Sequence, residues 1–221
     1  MAGRRLANKW LKTAVLLSDP TIAQHIPQTR RYNAANLRSM LSQFGMVVIK
    51  PIVGGGGYGV IKVTKEGGTY AYTAMSRRRS FSSFNGMFHG LSAVKKRRKY
   101  IIQRGIHLAK IGGRPIDYRV KVVKVGSQYW EVRSMVGRLA RRGLFVTNLC
   151  KGGSRLTAAQ GIRGSFSSSM VKVKKNEMRH LTVLSTTKLE RRFPGLGELG
   201  FDYGIDLNGK IWIFEVNTRP Q

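Results

Sequence analysis

Residues 201 to 217, Phe-Asp-Tyr-Gly-Ile-Asp-Leu-Asn-Gly-Lys-Ile-Trp-Ile-Phe-Glu-Val-Asn, constrain this chain more than any other stretch. Asn208-Gly209 is the dipeptide favoured by a two-residue type I′ turn, whose central residues both need positive φ, and alternating apolar residues flank it on both sides. The stretch therefore predicts a β-hairpin. Setting Leu207 against Lys210 fixes every pair further out and puts Asp202 directly opposite Glu215. Side chains alternate along a strand, so that register expects Asp202, Gly204, Asp206, Ile211, Ile213, Glu215 and Asn217 on one face. Phe201, Tyr203, Ile205, Leu207, Trp212, Phe214 and Val216 then form the other.

Two carboxylates facing each other on adjacent strands repel, and a hairpin that keeps them is best explained by a cation between them. The alternative is a surface hairpin with solvated acids. The chain has only 10 Asp and Glu, and four of them (Glu198, Asp202, Asp206 and Glu215) lie close together here, which favours the cation. Magnesium suits oxygen-only donors, and Asn217 adds an amide oxygen one pleat beyond Glu215. Asp202, Glu215 and Asn217 are thus the candidate metal ligands.

Against those 10 acids stand 40 Lys and Arg, a net charge of +30, which points to a polyanionic partner such as an acidic peptide or nucleic acid. With 221 residues, 42% of them apolar, the chain can build one large domain or two small lobes. The single Cys150 excludes an intramolecular disulfide and any multi-cysteine metal site. No apolar run is long enough for a membrane span, residues 1 to 17 lack a signal-peptide pattern, and the expected location is cytoplasmic.

Taken in order, residues 4 to 17 place Leu6, Trp10, Ala14 and Leu17 at helical spacing, with Ser18-Asp19-Pro20 as the stop. A second helix is expected over about 34 to 44, with Leu37, Met40, Leu41 and Phe44 inward and Gly45 ending it. Residues 46 to 51 read as a buried strand carrying Lys50, and Gly54, Gly55, Gly56 and Gly57 follow. Consecutive glycines let backbone N–H groups turn towards phosphate, although glycine-rich hairpin tips also occur without a ligand. Lys50, on the strand feeding the loop, can reach phosphates beneath it. Residues 60 to 65 and 69 to 75 make a hairpin around Gly67-Gly68. Residues 76 to 99 read as a basic loop and an exposed helix, and Phe81, Phe84, Phe88 and Tyr100 among the basic residues leave nucleic-acid contact open. Residues 100 to 103 are strand-like and lead to a joint at Gly112-Gly113. A hairpin from Val120 to Val136 turns at Gly126-Ser127 and sends Arg119 and Lys121 to one face. Polar stretches at 137 to 143 and 147 to 154 are able to line a cleft, 161 to 170 look like loop, and Asn176 is the expected N-cap of a helix ending at Phe193-Pro194-Gly195.

This order of parts resembles the ATP-grasp ligases, and among them the YheC/YheD-like proteins associated with bacterial spore coats. The resemblance runs nearly end to end. It rests on Asp202 followed by Glu215-Val-Asn217 and Pro220, on Val47-Val-Ile-Lys50-Pro51 with its glycines, and on Asn8-Lys9 before a helix, with Lys12 as the alternative to Lys9. It implies an α+β ATP-grasp fold whose two lobes enclose a nucleotide, without a full preceding domain: an N-terminal helical segment (1–45), a first lobe with the glycine loop (46–110) and a second with the metal hairpin (111–221). It further implies ATP and Mg2+, with Lys9 and Lys50 on phosphates, backbone around Ile102, Gln103 and Arg104 on adenine, and Arg119, Arg138 and Asn148 around the transferred phosphate. The implied activity is ATP-dependent joining of a carboxylate to an amine through an acyl phosphate, and the implied setting includes a spore association. A basic structural or nucleic-acid-binding protein that keeps the nucleotide site is the alternative.

Overall fold

The computed structural model describes residues 6–126, 129–218 and 220. In chain order the elements are α1 (Lys9–Leu17), α2 (Pro20–Ala23), β1 (Thr29–Arg31), α3 (Ala34–Phe44), β2 (Met46–Pro51), β3 (Ile61–Glu66), β4 (Thr69–Ala74), β5 (Arg77–Phe81), α4 (Phe84–Val94), β6 (Tyr100–Arg104), β7 (Lys110–Ile111), β8 (Arg114–Val125) and β9 (Tyr129–Leu139). A 3-10 turn (Leu149–Lys151), β10 (Ser154–Thr157), α5 (Ala158–Ser165), α6 (Met170–Arg192), β11 (Glu198–Ile205) and β12 (Ile211–Asn217) complete the chain. The fold is α+β, as expected from the sequence.

Two antiparallel sheets organise it, in the orders β1-β6-β2-β3-β4-β5 and β10-β9-β8-β11-β12, with β7 attached to β8. On the first sheet, Leu37, Met40 and Leu41 of α3 and Met87 and Leu91 of α4 close over Val47, Ile49, Ile61 and Val63. Each such fully buried side chain contributes about 1.5–3 kcal/mol. The α3 boundaries follow from capping: Asn33 accepts from the Asn36 N–H at one end, and Gly45, at φ 67, supplies the left-handed stop at the other. On the second sheet, Met178, Leu181 and Leu189 of α6 pack with Tyr118, Val120, Phe201, Tyr203 and Ile213. Leu16 and Ile22 of α1 and α2 join this second core although the strands that follow them build the first sheet. The early chain is also tied to the late chain directly, because Thr218 Oγ1 accepts from the Leu6 N–H at 2.8 Å.

The structure corrects several sequence expectations. The buried face of α1 is Lys9, Lys12 and Leu16, while Leu17 is exposed, because this helix lies along a polar cleft and not only along a core. The expected start of that helix at residues 4 and 5 lies outside the described residues, as does Ser127 of the expected turn. Arg77, Arg78 and Arg79 are not loop but the exposed edge strand β5, where charge discourages edge-to-edge pairing. The aromatic residues near them are packed against one another: Phe81 stacks on Tyr72, Phe84 on Phe88, and Tyr100 is buried. Residues 161 to 165 belong to α5, which a Thr157/Gln160 capping box opens. Gly161 permits close packing there, since a Cβ would fall 2.7 Å from Ile116 and 3.0 Å from Tyr118. Asn176 is inside α6, which begins at Met170, and its side chain accepts from Arg179.

The hairpin exists, with a different turn. Asp206 Oδ1 accepts from the N–H groups of Asn208 and Lys210, both at 2.9 Å, and only Gly209 has positive φ, at 81°. This longer turn pairs Ile205 with Ile211, and a bulge at Phe214 restores the expected pairing of Asp202 with Glu215. The bulge reverses the faces inside it: Ile211 and Ile213 point into the core, whereas Trp212 and Phe214 face the first sheet.

Candidate active site

A cleft of about 1600 Å³ separates the two sheets. It exceeds a typical small-ligand pocket and has room for a nucleotide with a second reactant. Strand alternation decides what enters it from β2, since Val47 and Ile49 are core residues while Met46, Val48 and Lys50 line the cleft. Lys50 Nζ donates to the Phe214 carbonyl at 3.1 Å, so the first sheet's lysine touches the bulge of the second sheet's hairpin. Burial lowers the Lys50 pKa to about 8, with Glu215 raising it, Lys9 lowering it and Asp202 raising it.

Lys9 opens α1 behind the N-cap Asn8 and reaches two places at once. Its Nζ donates to the Gly54 carbonyl and lies 3.4 Å from Glu215 Oε1. Lys12, one turn later, is turned to the Leu6 carbonyl at 2.6 Å, and burial lowers its pKa to about 8, against the pull of Glu215. Above Lys9, Gly54, Gly56 and Gly57 have φ of 145°, 64° and 71°. Gly57 is pressed against Asn148, whose Oδ1 would lie 2.4 Å from a Cβ, and Cys150 Sγ is 3.5 Å from the Gly56 carbonyl. The glycine loop and the segment around Asn148 thus meet over the cleft.

Beneath them, β8, β9 and β11 build a buried charge network. Register places Asp117 opposite Arg138 and Arg119 opposite Asp202. Arg138 donates to both Asp117 oxygens, from Nε at 2.7 Å and Nη2 at 2.6 Å, and its Nη2 lies 3.1 Å from Asp202 Oδ1. Arg119 grips the same Asp202 carboxylate through Nε and, at 3.2 Å, through Nη2. Burial works to raise the Asp202 pKa, but Arg138 and then Arg119 outweigh it and hold the carboxyl below its usual range. The Arg138 guanidinium, which burial alone would weaken, is held above its usual value by Asp117 and Asp202.

These partners revise the argument for a metal. The facing carboxylates Asp202 and Glu215 are already neutralised by arginines and Lys9, so their proximity does not by itself demand an ion. The donor set still fits one: Glu215 makes a single ion pair, and Asn217 lines the cleft with no side-chain hydrogen bond among the described residues. Asp202 has both oxygens engaged.

At the other end of the cleft, Ile102 is a core side chain, and β6 is an interior strand whose Ile102 and Gln103 pair with both β1 and β2. The Gln103 side chain donates to Thr29 Oγ1 at 3.1 Å, and the Arg104 guanidinium lies over the Phe44 and Trp212 rings. Among the described residues, Ile106 lines the cleft with its backbone free of hydrogen bonds, a position the sequence reading passed over. Asp117 was also missed as a site residue. Its signal was available, as an isolated acid two residues before Arg119 on the same strand face.

A family model described as YheC/D-like ATP-grasp matches residues 1–221. The chain is 29% identical over 220 residues to the endospore coat-associated protein YheD of Bacillus subtilis (strain 168), covering 96% of this chain and 48% of that protein. It is 28% identical over 226 residues to the endospore coat-associated protein YheC of the same organism, covering 99% and 61%. The chain therefore spans about half the length of the first of these relatives, 48%, and 61% of the second. Among solved structures, carboxyaminoimidazole ribonucleotide synthase from Aspergillus clavatus complexed with ATP superposes with a TM-score of 0.59 at 15% identity, over 99% of this chain and 46% of that one. An ADP complex of N5-carboxyaminoimidazole ribonucleotide synthetase gives 0.59 at 12% identity, over 98% and 46%. At such identities the likeness establishes the fold.

Proposed function

The chain belongs to the YheC/D-like ATP-grasp family, and from that premise we propose that it is an ATP-dependent ligase joining a carboxylate to an amine through an acyl phosphate, on an acidic substrate. The observation that carries this reading is the convergence of Lys9, Lys50, Arg119 and Arg138 with Asp117, Asp202 and Glu215 in one cleft under a glycine loop. A substrate carboxylate oxygen attacks the γ-phosphorus, and the bridging bond breaks with its electrons leaving on ADP. An amine then attacks the acyl carbon and phosphate departs with the C–O electrons, while the amine proton passes to solvent. Such chemistry is largely positioning and charge neutralisation, and it needs no strong protein base.

In this reading Lys9 and Lys50 hold phosphate oxygens from the glycine-loop side, and Arg119 and Arg138 balance charge on the transferred phosphoryl group. Asn148 orients the intermediate from the loop above, and the adenine edge sits by Gln103, Arg104 and the free backbone of Ile106. Glu215 and Asn217, with Asp202 beside them, would hold magnesium, which when bound neutralises phosphate charge. Incubation with Mg-ATP and pools of amino acids and acidic peptides should release ADP and phosphate in step with a product one water lighter than its parts. Release of AMP and pyrophosphate, or binding of ATP with no turnover in any pool, would count against the ligase. The second outcome would favour a basic coat component that keeps a nucleotide site, a reading to which the coat association of the two relatives points.

Lys50 makes the phosphate assignment testable by pH. Its native pKa of about 8 lies below the ordinary 10.5, so between those values the unfolded chain binds more protons and the ligand-free protein gains stability as pH rises. Phosphate favours the protonated amine, so ATP affinity should run the opposite way and decline above pH 8, by up to about tenfold per unit. Calorimetric titration across that range checks it. An affinity flat across that range, or an equal decline in Lys50→Arg, would remove Lys50 from the phosphate site.

A further inference from the structure

Lys9, Arg119 and Arg138 have carboxylate partners in the cleft, whereas Lys62 and Lys110, which also line it, have none among the described residues. Lys62, Thr73 and Arg78 are successive partners across β3, β4 and β5, so they share one face of the first sheet. Lys62 and Thr73 line the cleft, and Arg78 continues that face at the sheet edge. Lys110 lines the opposite wall, from β7 on the second sheet. Among the described residues neither the Lys62 nor the Lys110 side chain has a hydrogen bond or a salt bridge, and Arg78 has only Glu66 at 4.0 Å, with both side chains largely exposed. Burial first, then Arg78, lower the Lys62 pKa, with Glu66 opposing and Lys110 adding to the fall. Like charges brought together across a cleft are unfavourable unless an anion separates them.

We propose that this part of the cleft, at Lys62, Arg78 and Lys110, is a subsite for side-chain carboxylates of an acidic peptide substrate. The inference rests on the ligase reading and names the substrate class for the same cleft. Lys62 and Arg78 are two strand steps apart, roughly 10 Å, so a single small anion does not serve both. An extended peptide presents same-side residues roughly 7 Å apart, and long acidic and basic side chains close the difference. An acidic peptide is favoured over nucleic acid because, among the described residues, the ring beside Lys62 is already engaged by its amine. The Phe145 ring lies 5.5 Å beneath the Lys62 amine, and the aromatics beyond it pack on one another.

The test is anisotropy with a short labelled oligoglutamate on the wild type, on Lys62→Gln with Arg78→Gln, and on Arg78→Glu alone, a change at an exposed position that spares the fold. A Mg-ADP thermal shift on each variant reports whether the nucleotide end of the cleft is intact. Oligoglutamate affinity should fall roughly tenfold or more in low salt in both variants, with the Mg-ADP shift retained. Unchanged affinity overturns the subsite, and so does a single-stranded oligonucleotide that binds more tightly than oligoglutamate and loses as much in the variants. The two readings fail separately. Oligoglutamate bound through these side chains with no ADP ever formed supports the subsite and counts against the ligase, and ADP formed on other substrates with no oligoglutamate bound overturns the subsite alone.

Discussion

Replacing Arg138 with methionine should destabilise the protein by about 3–5 kcal/mol at neutral pH, the range seen when one partner is removed from a buried ion pair. The side chain is only 7% exposed, and its loss strips Asp117 of both hydrogen bonds from the guanidinium and Asp202 of one of its two arginines. Methionine fills much of the volume, so the effect isolates charge from cavity. The pH dependence gives it a signature. Asp202 has a lowered native pKa, so its stabilising contribution is complete above the unfolded value and is lost as pH falls through the native one. In the variant Asp202 keeps only Arg119, so less of that contribution is there to lose. The gap between wild type and variant should therefore be widest near neutrality and narrow in acid. Urea melts at several pH values measure it, and a loss below about 1 kcal/mol, or one that ignores pH, would mean that the network is worth no more than surface pairs.

Lys50→Ala should slow phosphate release by about 10²–10³, the scale on which a preorganised charge at a reacting group acts. Lys50 is buried and anchored on the Phe214 carbonyl, so its amine is fixed and not free to wander from the cleft. The same variant should weaken ATP far more than adenosine, because the proposed contact is to phosphate. Equal losses for the two ligands would place Lys50 in a structural clamp between the sheets and leave phosphate binding to other side chains.

Local rules were enough for β2 and α3, where alternation, an Asn cap and a glycine stop agree. The opposition of Asp202 and Glu215 was legible too, although by a route the sequence did not reveal. Asp206 caps its own turn with two hydrogen bonds, which lengthens the loop by a residue, and the bulge at Phe214 takes that residue back. Gly204 makes room for the displaced Phe214, whose ring would come within 2.4 Å of a Cβ there. Nothing in the spacing of apolar residues encodes such a compensation. Another failure has a different cause: rules that send apolar residues inward misread α1, where the buried Lys9 and Lys12 depart from them. Those departures fall where charge has been drawn into the interior. The glycines of α5 were misread for a different reason, since a sequence cannot distinguish a helix breaker from a residue chosen to let another wall come near.

The bond from Leu6 to Thr218 joins residues 212 positions apart, and Lys9 meets Glu215 across almost the same separation. Contacts of such span give the fold a high contact order at its centre, and closing so long a loop is entropically unfavourable until the intervening sheets have formed. During synthesis the helix bearing Lys9 is made long before the strand that receives it. The early helix must therefore wait, lysines solvated, until β12 arrives. Refolding should accordingly show the first sheet gaining amide protection before α1 does, with nucleotide affinity returning only in the later phase.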